Sequence, residues 1–539
     1  MQKLVFLLFT FIMNIAVYGQ TVIKRPKLVV GIVVDQMSWD YLYRYYNRYD
    51  DNGGFKKLLN QGFSCENTLI TYTPTVTACG HTGIYTGSVP AIHGIVGNDW
   101  WDKILGKNVY CTEDDSVATV GSNTTLGKMS PRNLFTTTIC DELKMATNFK
   151  SKVVGIAIKD RGSILPAGHT ADAAYWYDNK TGDWITSSYY MTELPKWVKD
   201  FNSQKMADKY YKEDWNTLYP IETYTQSTKD DMPYELKNYG SHFPYDLKRH
   251  VAKNYNIISA TPFGNNLTFD MAKAALTAEQ LGNDAVTDFL AISFSSPDYI
   301  GHAFGPNSIE AEDGFLRLDK SLGNFLNFLN EKVGEGQYLV FLSADHGAAH
   351  VPGFLKEHKV PTGNLNTSGM MSEMNKLLNE KFDYDELILH ISNYQLYLNH
   401  KAINASKLKE KDIRKWIIEY LLKQPGISSA FDLDALYETT LNATIKDMIA
   451  NGYNPARSGD IQLILKPHWI EGFEKGGTTH GVWNPYDAHI PLLWYGWNIK
   501  QGKSNRKMSM ADIAPTIAAL LHIQMPSGNV GQVIEEVVR

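Results

Sequence analysis

Cysteine is scarce in this chain, with four residues among 539: Cys65, Cys79, Cys111 and Cys140. Four cysteines are too few to brace a protein of this length, and no two of them form a C-x-x-C pair. A disulfide framework and a thiolate-bound zinc site are therefore excluded. One disulfide bridge is possible in an oxidising compartment, and the spacing does not select its pair.

A basic excess is also missing. The chain has 52 Lys and Arg residues against 58 Asp and Glu residues, which gives a formal net charge of −6. Nucleic-acid-binding proteins usually show a basic excess or a basic stripe. No nucleic-acid partner is therefore expected.

Long apolar runs are missing after the first residues. Residues 1–19 have the pattern of a secretory signal peptide, with Lys3, an apolar stretch from Leu4 to Ala16 and small residues before Gln20. That stretch is short for a membrane span, and no later segment reaches about 18 uninterrupted apolar residues. We predict an exported protein, periplasmic or secreted, with no membrane span in its mature chain; the sequence does not set its oligomeric state, and a monomer is favoured. An uncleaved membrane anchor is the alternative.

Strand-like apolar runs alternate with helical patterns, which predicts an α/β fold with a mostly parallel sheet between helices. Two stretches, at about 170–265 and 352–460, interrupt this rhythm and are predicted to be insertions in one catalytic domain spanning 20–539. The first contains a hairpin-like stretch near Asn179. The predicted strands are Leu28–Val34, Val153–Ile158, Phe289–Phe294, Tyr338–Ser343, Tyr394–Leu398 and Pro491–Tyr495. The predicted helices are Phe269–Leu281, Ile309–Leu329, Ser372–Lys381, Leu408–Lys423 and Met510–Leu521.

Acidic and imidazole side chains follow two of the predicted strands. Asp345 and His346 come directly after an apolar run and precede Gly347, and Asp35 ends the first strand. In a parallel sheet, ligands bind at the carboxyl ends of strands, and carboxylate and imidazole groups together suit zinc. A turn-capping Asp with a surface His is the alternative for Asp345 and His346, and helix capping is the alternative for Asp35.

The third strand-like run is followed by Asp298 and His302. Their Asp-x-x-x-His spacing places both side chains on one side of a helical turn, within reach of one ion. His480 lies between Thr479 and Gly481, where the backbone can approach a site closely. It either completes a three-residue ligand set with Asp298 and His302 or is a loop histidine without a role.

A threonine is placed where it could serve as a nucleophile. The segment Tyr72–Gly83 leads from Pro74 into a helical pattern, so Thr77 falls near a helix N-terminus, where free N–H groups favour an anion. A threonine hydroxyl needs a metal or a base to become reactive at neutral pH. A simple N-cap is the alternative. His81 and the later His93 are predicted to be structural.

Three further residues could bind a phosphoryl group. Lys159 and Arg161 follow an apolar strand and alternate by two, which could direct both to one face, and this pair of cations suits a dianionic phosphate. Asn98 offers a neutral amide donor after Gly97. Two solvated surface cations and a turn asparagine are the alternatives.

These phrases together resemble the alkaline phosphatase superfamily, most closely its exported, phosphate-irrepressible (PafA-type) members, from about residue 25 to the C-terminus. The phrases that match are Leu28–Met37, Pro74–Ala78, Gly97–Trp100, Lys159–Arg161, Ser343–Gly347 and Thr478–His480.

The resemblance implies a phosphate monoesterase with two zinc ions per chain. Thr77 would attack phosphorus and form a phosphothreonine that is then hydrolysed, and small phosphate monoesters would be the substrates. One zinc would be held by Asp35, Thr77, Asp345 and His346, the other by Asp298, His302 and His480, and the phosphoryl oxygens by Asn98, Lys159 and Arg161.

Other activities fit the sequence less well. Diesterases of the superfamily share the zinc ligands and the threonine but typically lack the Lys-x-Arg pair, so a phosphodiesterase is the main alternative. A sulfatase needs a modified Cys or Ser in a C/S-x-P-x-R context, which the segment after Cys79 does not provide. Export argues against a manganese phosphomutase, and the complete set of ligands argues against a non-catalytic binder.

Overall fold

The structure is a computed structural model that describes residues 24–539, so the predicted signal segment lies outside the described residues. Within that range the strands are β1 (Leu28–Val34), β2 (Phe63–Cys65), β3 (Thr68–Leu69), β4 (Asp99–Asp102), β5 (Lys107–Tyr110), β6 (Thr119–Val120), β7 (Val153–Ala157), β8 (Ala173–Asp178), β9 (Asp183–Ser187), β10 (Asp288–Phe294), β11 (Tyr338–Ser343), β12 (Gly363–Leu365), β13 (Ile388–Ser392), β14 (Gln395–Leu398), β15 (Ile427–Asp432), β16 (Ile461–Leu465), β17 (Trp469–Glu471), β18 (His489–Ile490), β19 (Leu492–Gly496), β20 (Gly502–Ser504) and β21 (Met508–Ser509).

The α-helices of the same range are α1 (Tyr41–Arg44), α2 (Gly54–Gln61), α3 (Thr77–Thr86), α4 (Pro90–His93), α5 (Ile139–Ala146), α6 (Asp160–Ala167), α7 (Lys196–Ser203), α8 (Met206–Tyr210), α9 (Pro262–Ala278), α10 (Ser296–Phe304), α11 (Ile309–Lys332), α12 (Pro352–Glu357), α13 (Thr367–Phe382), α14 (His400–Ser406), α15 (Glu410–Leu421), α16 (Ala443–Gly452), α17 (Pro485–Ala488), α18 (Ile513–Leu521) and α19 (Glu535–Val538).

A ten-stranded sheet forms the centre of the protein, in the order β20-β2-β19-β11-β1-β10-β7-β8-β9-β6. The five strands from β11 to β8 in this order run parallel, whereas β19 is antiparallel to β11 and β9 is antiparallel to β8. Every residue of β1 and β11 is buried, which explains why their sequences are continuous apolar runs instead of alternating patterns. The predicted α/β fold is confirmed.

Element boundaries follow the predictions closely where apolar runs are continuous. β1 and β11 have the predicted bounds, whereas α9 begins seven residues before the predicted Phe269, with Pro262 in its first turn. The predicted terminal helix is split into a 3₁₀ turn at Met510–Asp512 and α18. Pro515 is the third residue of α18, where its missing N–H removes no intrahelical hydrogen bond.

The two predicted insertions differ in character. The β8–β9 hairpin falls within 170–265 but extends the central sheet, since β8 pairs in parallel with β7; that part of the stretch belongs to the core. The hairpin itself was predicted, but its aromatic and polar composition concealed that β8 is buried throughout and joins the central sheet. The second stretch forms its own sheet in the order β13-β14-β16-β15, over a separate apolar core that includes Met374 and Ile417. Because β16 belongs to this sheet, the unit continues past residue 460, the predicted end of the insertion.

All four cysteines are buried and free, so the possible disulfide is not formed. Among residues 24–539, no helix combines the length and the apolarity needed to cross a bilayer.

Candidate active site

Four adjacent parallel strands place charged side chains at one edge of the sheet. β11, β1, β10 and β7 are neighbours in that order, and each leads directly into a segment with polar side chains. Asp345 follows β11, Asp35 follows β1, Asp298 follows β10 and Lys159 follows β7. The carboxyl ends of parallel strands meet at one edge, so residues more than 300 positions apart in sequence become neighbours.

Thr77 is the first residue of α3, and all ten residues of this helix are buried. Val76 occupies the N-cap position and the Thr77 side chain caps nothing, so the simple N-cap interpretation is wrong. The Thr77 hydroxyl oxygen lies 3.4 Å from Nε2 of His346. The helix packs closely against the strand ends, since a Cβ added at Gly80 would lie 2.3 Å from the carbonyl oxygen of Asp345.

The predicted ligands converge into two groups. Asp35, Asp345 and His346 each offer one ligand atom within 4.8 Å of the other two. Nε2 of His346 is 3.5 Å from both Oδ1 of Asp35 and Oδ2 of Asp345. All three side chains are fully buried, and His346 is the member of the group in contact with the hydroxyl of Thr77.

The second group consists of Asp298, His302 and His480, whose ligand atoms also lie within 4.8 Å of one another. Asp298 and His302 are four residues apart on α10, as the spacing predicts, and their Oδ1 and Nε2 atoms are 3.1 Å apart. Nε2 of His480 is 3.6 Å from the same Oδ1. The rings of His480 and His346 stack with centroids 3.5 Å apart, so the two groups adjoin.

Backbone carbonyl groups set the orientation of all three imidazoles. Nδ1 of His346 faces the carbonyl oxygen of Gly347 at 2.9 Å, Nδ1 of His302 faces that of Thr478 at 2.8 Å, and Nδ1 of His480 faces that of Thr75 at 2.7 Å. A carbonyl oxygen only accepts, so each Nδ1 donates. On a neutral ring Nε2 then carries the lone pair, and each Nε2 faces a carboxylate of the site, as in histidines that bind metals.

The buried carboxylates have unequal proton affinities. Burial and the charge of Asp345 raise the pKa of Asp35 well above its ordinary value. Burial opposes ionisation of Asp345 and Asp298 too, but neighbouring histidines and Lys159 outweigh it and lower the pKa of both groups. Burial also lowers the pKa of His346 to about 3, which keeps its ring neutral at physiological pH.

These residues fit metal ions. Oδ1 of Asp35 and Oδ2 of Asp345 are buried and have no hydrogen-bond partner among the described residues, an arrangement that is costly unless a cation is bound there. The donors are carboxylate oxygen and imidazole nitrogen, without thiolate sulfur. Such donor sets suit divalent ions of the zinc type.

The three residues predicted to bind phosphoryl oxygens border the same site. The ammonium group of Lys159 lies 2.7 Å from Asp35 and 2.5 Å from Asp298, and these carboxylates raise its pKa despite its burial. Oδ1 of Asn98 accepts a hydrogen bond from the N–H of Ala78, the residue after Thr77, at 2.9 Å. This contact leaves the NH₂ group of Asn98 free to donate beside the threonine.

Arg161 reaches the site by a different route from the one predicted. Strand β7 ends at Ala157, Lys159 is the N-cap of α6, and Arg161 lies in the first turn of that helix, so strand alternation does not apply. The guanidinium donates to the Tyr110 hydroxyl at 3.0 Å. Its positive charge is close enough to Lys159 to act against the rise in the pKa of that ammonium group. The two cations are therefore near neighbours and not solvated surface groups.

Two residues of the site were missed by sequence reasoning. Gln36 donates from its side chain to Asp298 at 2.6 Å and from its backbone N–H to Asp345 at 3.1 Å, so it connects both ligand groups. His81 was predicted to be structural. It is buried on α3, and its Nδ1 lies 2.9 Å from the Thr77 carbonyl and 3.2 Å from Oδ2 of Asp345. In the sequence, the signals for these contacts are that Gln36 directly follows Asp35 and that His81 lies one helical turn after Thr77.

The fold and this site define an α/β protein with a candidate two-ion centre at the carboxyl edge of its sheet. A family model described as type I phosphodiesterase / nucleotide pyrophosphatase matches residues 29–487. The chain therefore belongs to this family, which lies within the alkaline phosphatase superfamily.

Three curated relatives cover nearly the whole chain. Alkaline phosphatase PhoV of Synechococcus elongatus is 54% identical over 97% of this chain and 95% of its own length. A Myroides odoratus protein named calcium-transporting ATPase is 54% identical over 97% of both chains. Alkaline phosphatase PafA of Elizabethkingia meningoseptica is 53% identical over 96% of this chain and 95% of its own. A PafA crystal structure superposes with a TM-score of 0.93 at 53% identity, over 96% of this chain and 99% of that one.

Proposed function

We propose that the protein is an alkaline phosphatase, a phosphate monoester hydrolase that uses Thr77 as its nucleophile and two zinc ions. The observation on which this depends most is the position of the Thr77 hydroxyl, at the first turn of a buried helix and beside His346 of the first acid–imidazole group, which the second group adjoins. Two of the three relatives above are named alkaline phosphatases, which supports the same activity.

Asp35, Thr77, Asp345 and His346 would hold one zinc ion, and Asp298, His302 and His480 the other. When bound, the ions lower the pKa of the threonine hydroxyl and stabilise negative charge on the entering and leaving oxygens. Gln36 and the three backbone carbonyls would keep the ligands in place, because second-shell hydrogen bonds orient metal ligands.

Thr77 would act twice in each turnover. Its Oγ1 loses a proton and forms a bond to phosphorus while the bond from phosphorus to the leaving oxygen breaks, and the released alkoxide takes up a proton. Water then attacks the phosphothreonine, the bond between phosphorus and Oγ1 breaks, and Thr77 regains its proton as phosphate departs. Thr77 is the first residue of α3, and the partial positive charge of a helix N-terminus would favour negative charge on its oxygen.

Asn98, Lys159 and Arg161 would bind the phosphoryl oxygens that do not react. The transition state of phosphoryl transfer is loose, so catalysis depends mainly on placement and on charge stabilisation. A monoester dianion offers an additional charged oxygen to this pair of cations, whereas the second substituent of a diester would occupy that place.

A phosphodiesterase is the second candidate, and the description of the matching family favours it. The buried Lys159 beside Arg161 favours the monoesterase. Comparing an aryl phosphate with a bis-aryl phosphate in the same assay separates the two. A higher kcat/KM for the diester would reverse the assignment.

Phosphate release from an aryl phosphate tests the proposal directly. Wild-type activity should disappear after dialysis against a chelator and return when zinc is added. Thr77→Ala should stay inactive when zinc is added. Activity that persists in the chelated protein would contradict the proposed function.

A further inference from the structure

One aromatic ring outside the ligand set lies against the second group of ligands. Phe473, in the loop between β17 and His480, stacks on the imidazole of His302 with ring centroids 5.6 Å apart and planes inclined by only 6°. The ring of His480 also lies near His302, with centroids 5.1 Å apart and planes inclined by 40°. Two aromatic rings therefore contact this histidine.

His302 is the most exposed of the three histidines in the site. Its side chain retains 26% of its accessible surface, compared with 6% for His480 and 0% for His346. His346 and His480 are buried, so the surrounding protein encloses their rings. For His302, one face depends on Phe473 and one edge on the carbonyl of Thr478.

The backbone of this loop adopts an unfavourable conformation that places the ring. Phe473 has φ of 58°, in the left-handed region that bulky residues rarely adopt, and it follows Gly472 at 68°. Gly477, with φ of 84°, closes the loop through a hydrogen bond to the Tyr234 carbonyl; a Cβ there would lie 2.4 Å from the carbonyl oxygen of His302. Strain of this kind is often retained where function requires it.

We propose that Phe473 is a positioning residue for the second zinc ion. Its ring restricts the imidazole of His302 to the orientation in which Nε2 faces Asp298, and so sets the affinity of the Asp298, His302 and His480 group alone. The inference rests on the proposed function, because it requires that this group binds zinc. Among the described residues, Phe473 stacks on His302 of the second group, whereas His346 of the first group stacks on His480.

Zinc titration of the purified full chain with a competing chelator tests this role. Wild type should bind two zinc ions per chain. In Phe473→Ala, one site should weaken by about 10- to 100-fold, as for other residues that orient metal ligands, while the other is unchanged. Phosphatase activity should then require more free zinc but recover kcat at saturation. Phe473→Tyr keeps the flat ring and should bind zinc as wild type does.

Phe354→Ala is the matched control, because Phe354 packs on His350, a histidine outside both groups, with centroids 5.8 Å apart. It should leave both affinities unchanged. If Phe473→Ala fails to fold, Phe473→Leu, which keeps an apolar side chain without a flat face, should show the same selective loss. If both zinc sites of Phe473→Ala or of Phe473→Leu keep wild-type affinity, the role of Phe473 is overturned and the proposed function is not. Absence of zinc binding in the wild type would overturn the proposed function with it.

Discussion

Oγ1 of Thr77 and Nε2 of His346 are 3.4 Å apart, although 269 positions separate the two residues in sequence. The close approach of helix α3 to the end of β11 brings them together, and Gly80 permits that approach. Neither atom points to solvent, since both side chains are buried. We therefore expect the Thr77 hydroxyl to bind the same ion as the His346 imidazole.

Thr77→Ala should lower kcat by about 10⁴-fold or more, because losses of this size follow removal of a nucleophile that forms a covalent intermediate. Phosphate binding should persist, since Asn98, Lys159 and Arg161 remain. Steady-state kinetics and phosphate inhibition measure the two effects. Thr86→Ala, which removes another buried hydroxyl from α3, is the control. Comparable activity in the two variants would remove Thr77 from the mechanism.

Replacing Lys159 and Arg161 together by Ala should reduce kcat/KM for an aryl monoester by about 100-fold or more, because each charged hydrogen bond contributes about 1.5–3 kcal/mol. The loss for a diester should be much smaller. The exposed Lys180, on the turn between β8 and β9, provides the control variant Lys180→Ala. Equal losses for both substrates would contradict the role of the two cations.

Gln36→Ala should weaken zinc binding at the second site by about 10-fold, because it removes the side-chain amide that donates to Asp298, whereas the backbone N–H that donates to Asp345 remains. Gly301→Ala should act in the same direction, since a Cβ at that position would lie 1.8 Å from Oε1 of Gln36. Metal content after dialysis at controlled free zinc measures the effect. Full retention of both ions in both variants would argue against this role for Gln36.

The pH dependence of stability should contain a contribution from His93. Burial, together with Arg457, lowers its pKa from 6.5 to about 3. The unfolded chain therefore takes up a proton between these values that the folded chain does not, and stability is lost as pH falls from 6.5 towards 3. At pH 5 this amounts to about 2 kcal/mol. Between pH 7 and pH 5, the free energy of unfolding should therefore fall by about 2 kcal/mol less in His93→Asn than in wild type. Parallel losses in denaturant titrations would contradict the assignment.

The sequence predicts the fold class and the strands that bear the site because each is a continuous apolar run that ends in a charged residue. β1 and β11 are the clearest cases. The hairpin that contains β8 was predicted, but its place in the central sheet was not, because Tyr175, Trp176 and Tyr177 give the segment the composition of a surface insertion. Strand alternation was expected to direct Arg161 to the same face as Lys159, but Arg161 is the second residue of helix α6.

The contacts of Gln36, His81 and Phe473 could not be predicted, because each depends on segments far apart in sequence. Gln36 reaches Asp298 across 262 positions. The Asp-x-x-x-His pair on α10 could be predicted because its geometry is local.

The most direct test of the account is a crystal structure of the zinc-loaded protein with vanadate, with anomalous data collected at the zinc absorption edge. Two anomalous peaks per chain are expected, one between Asp35, Asp345 and His346 and one between Asp298, His302 and His480, with Oγ1 of Thr77 bonded to vanadium and within about 2.2 Å of the first ion. A single peak, or a Thr77 oxygen far from any ion, would contradict the account.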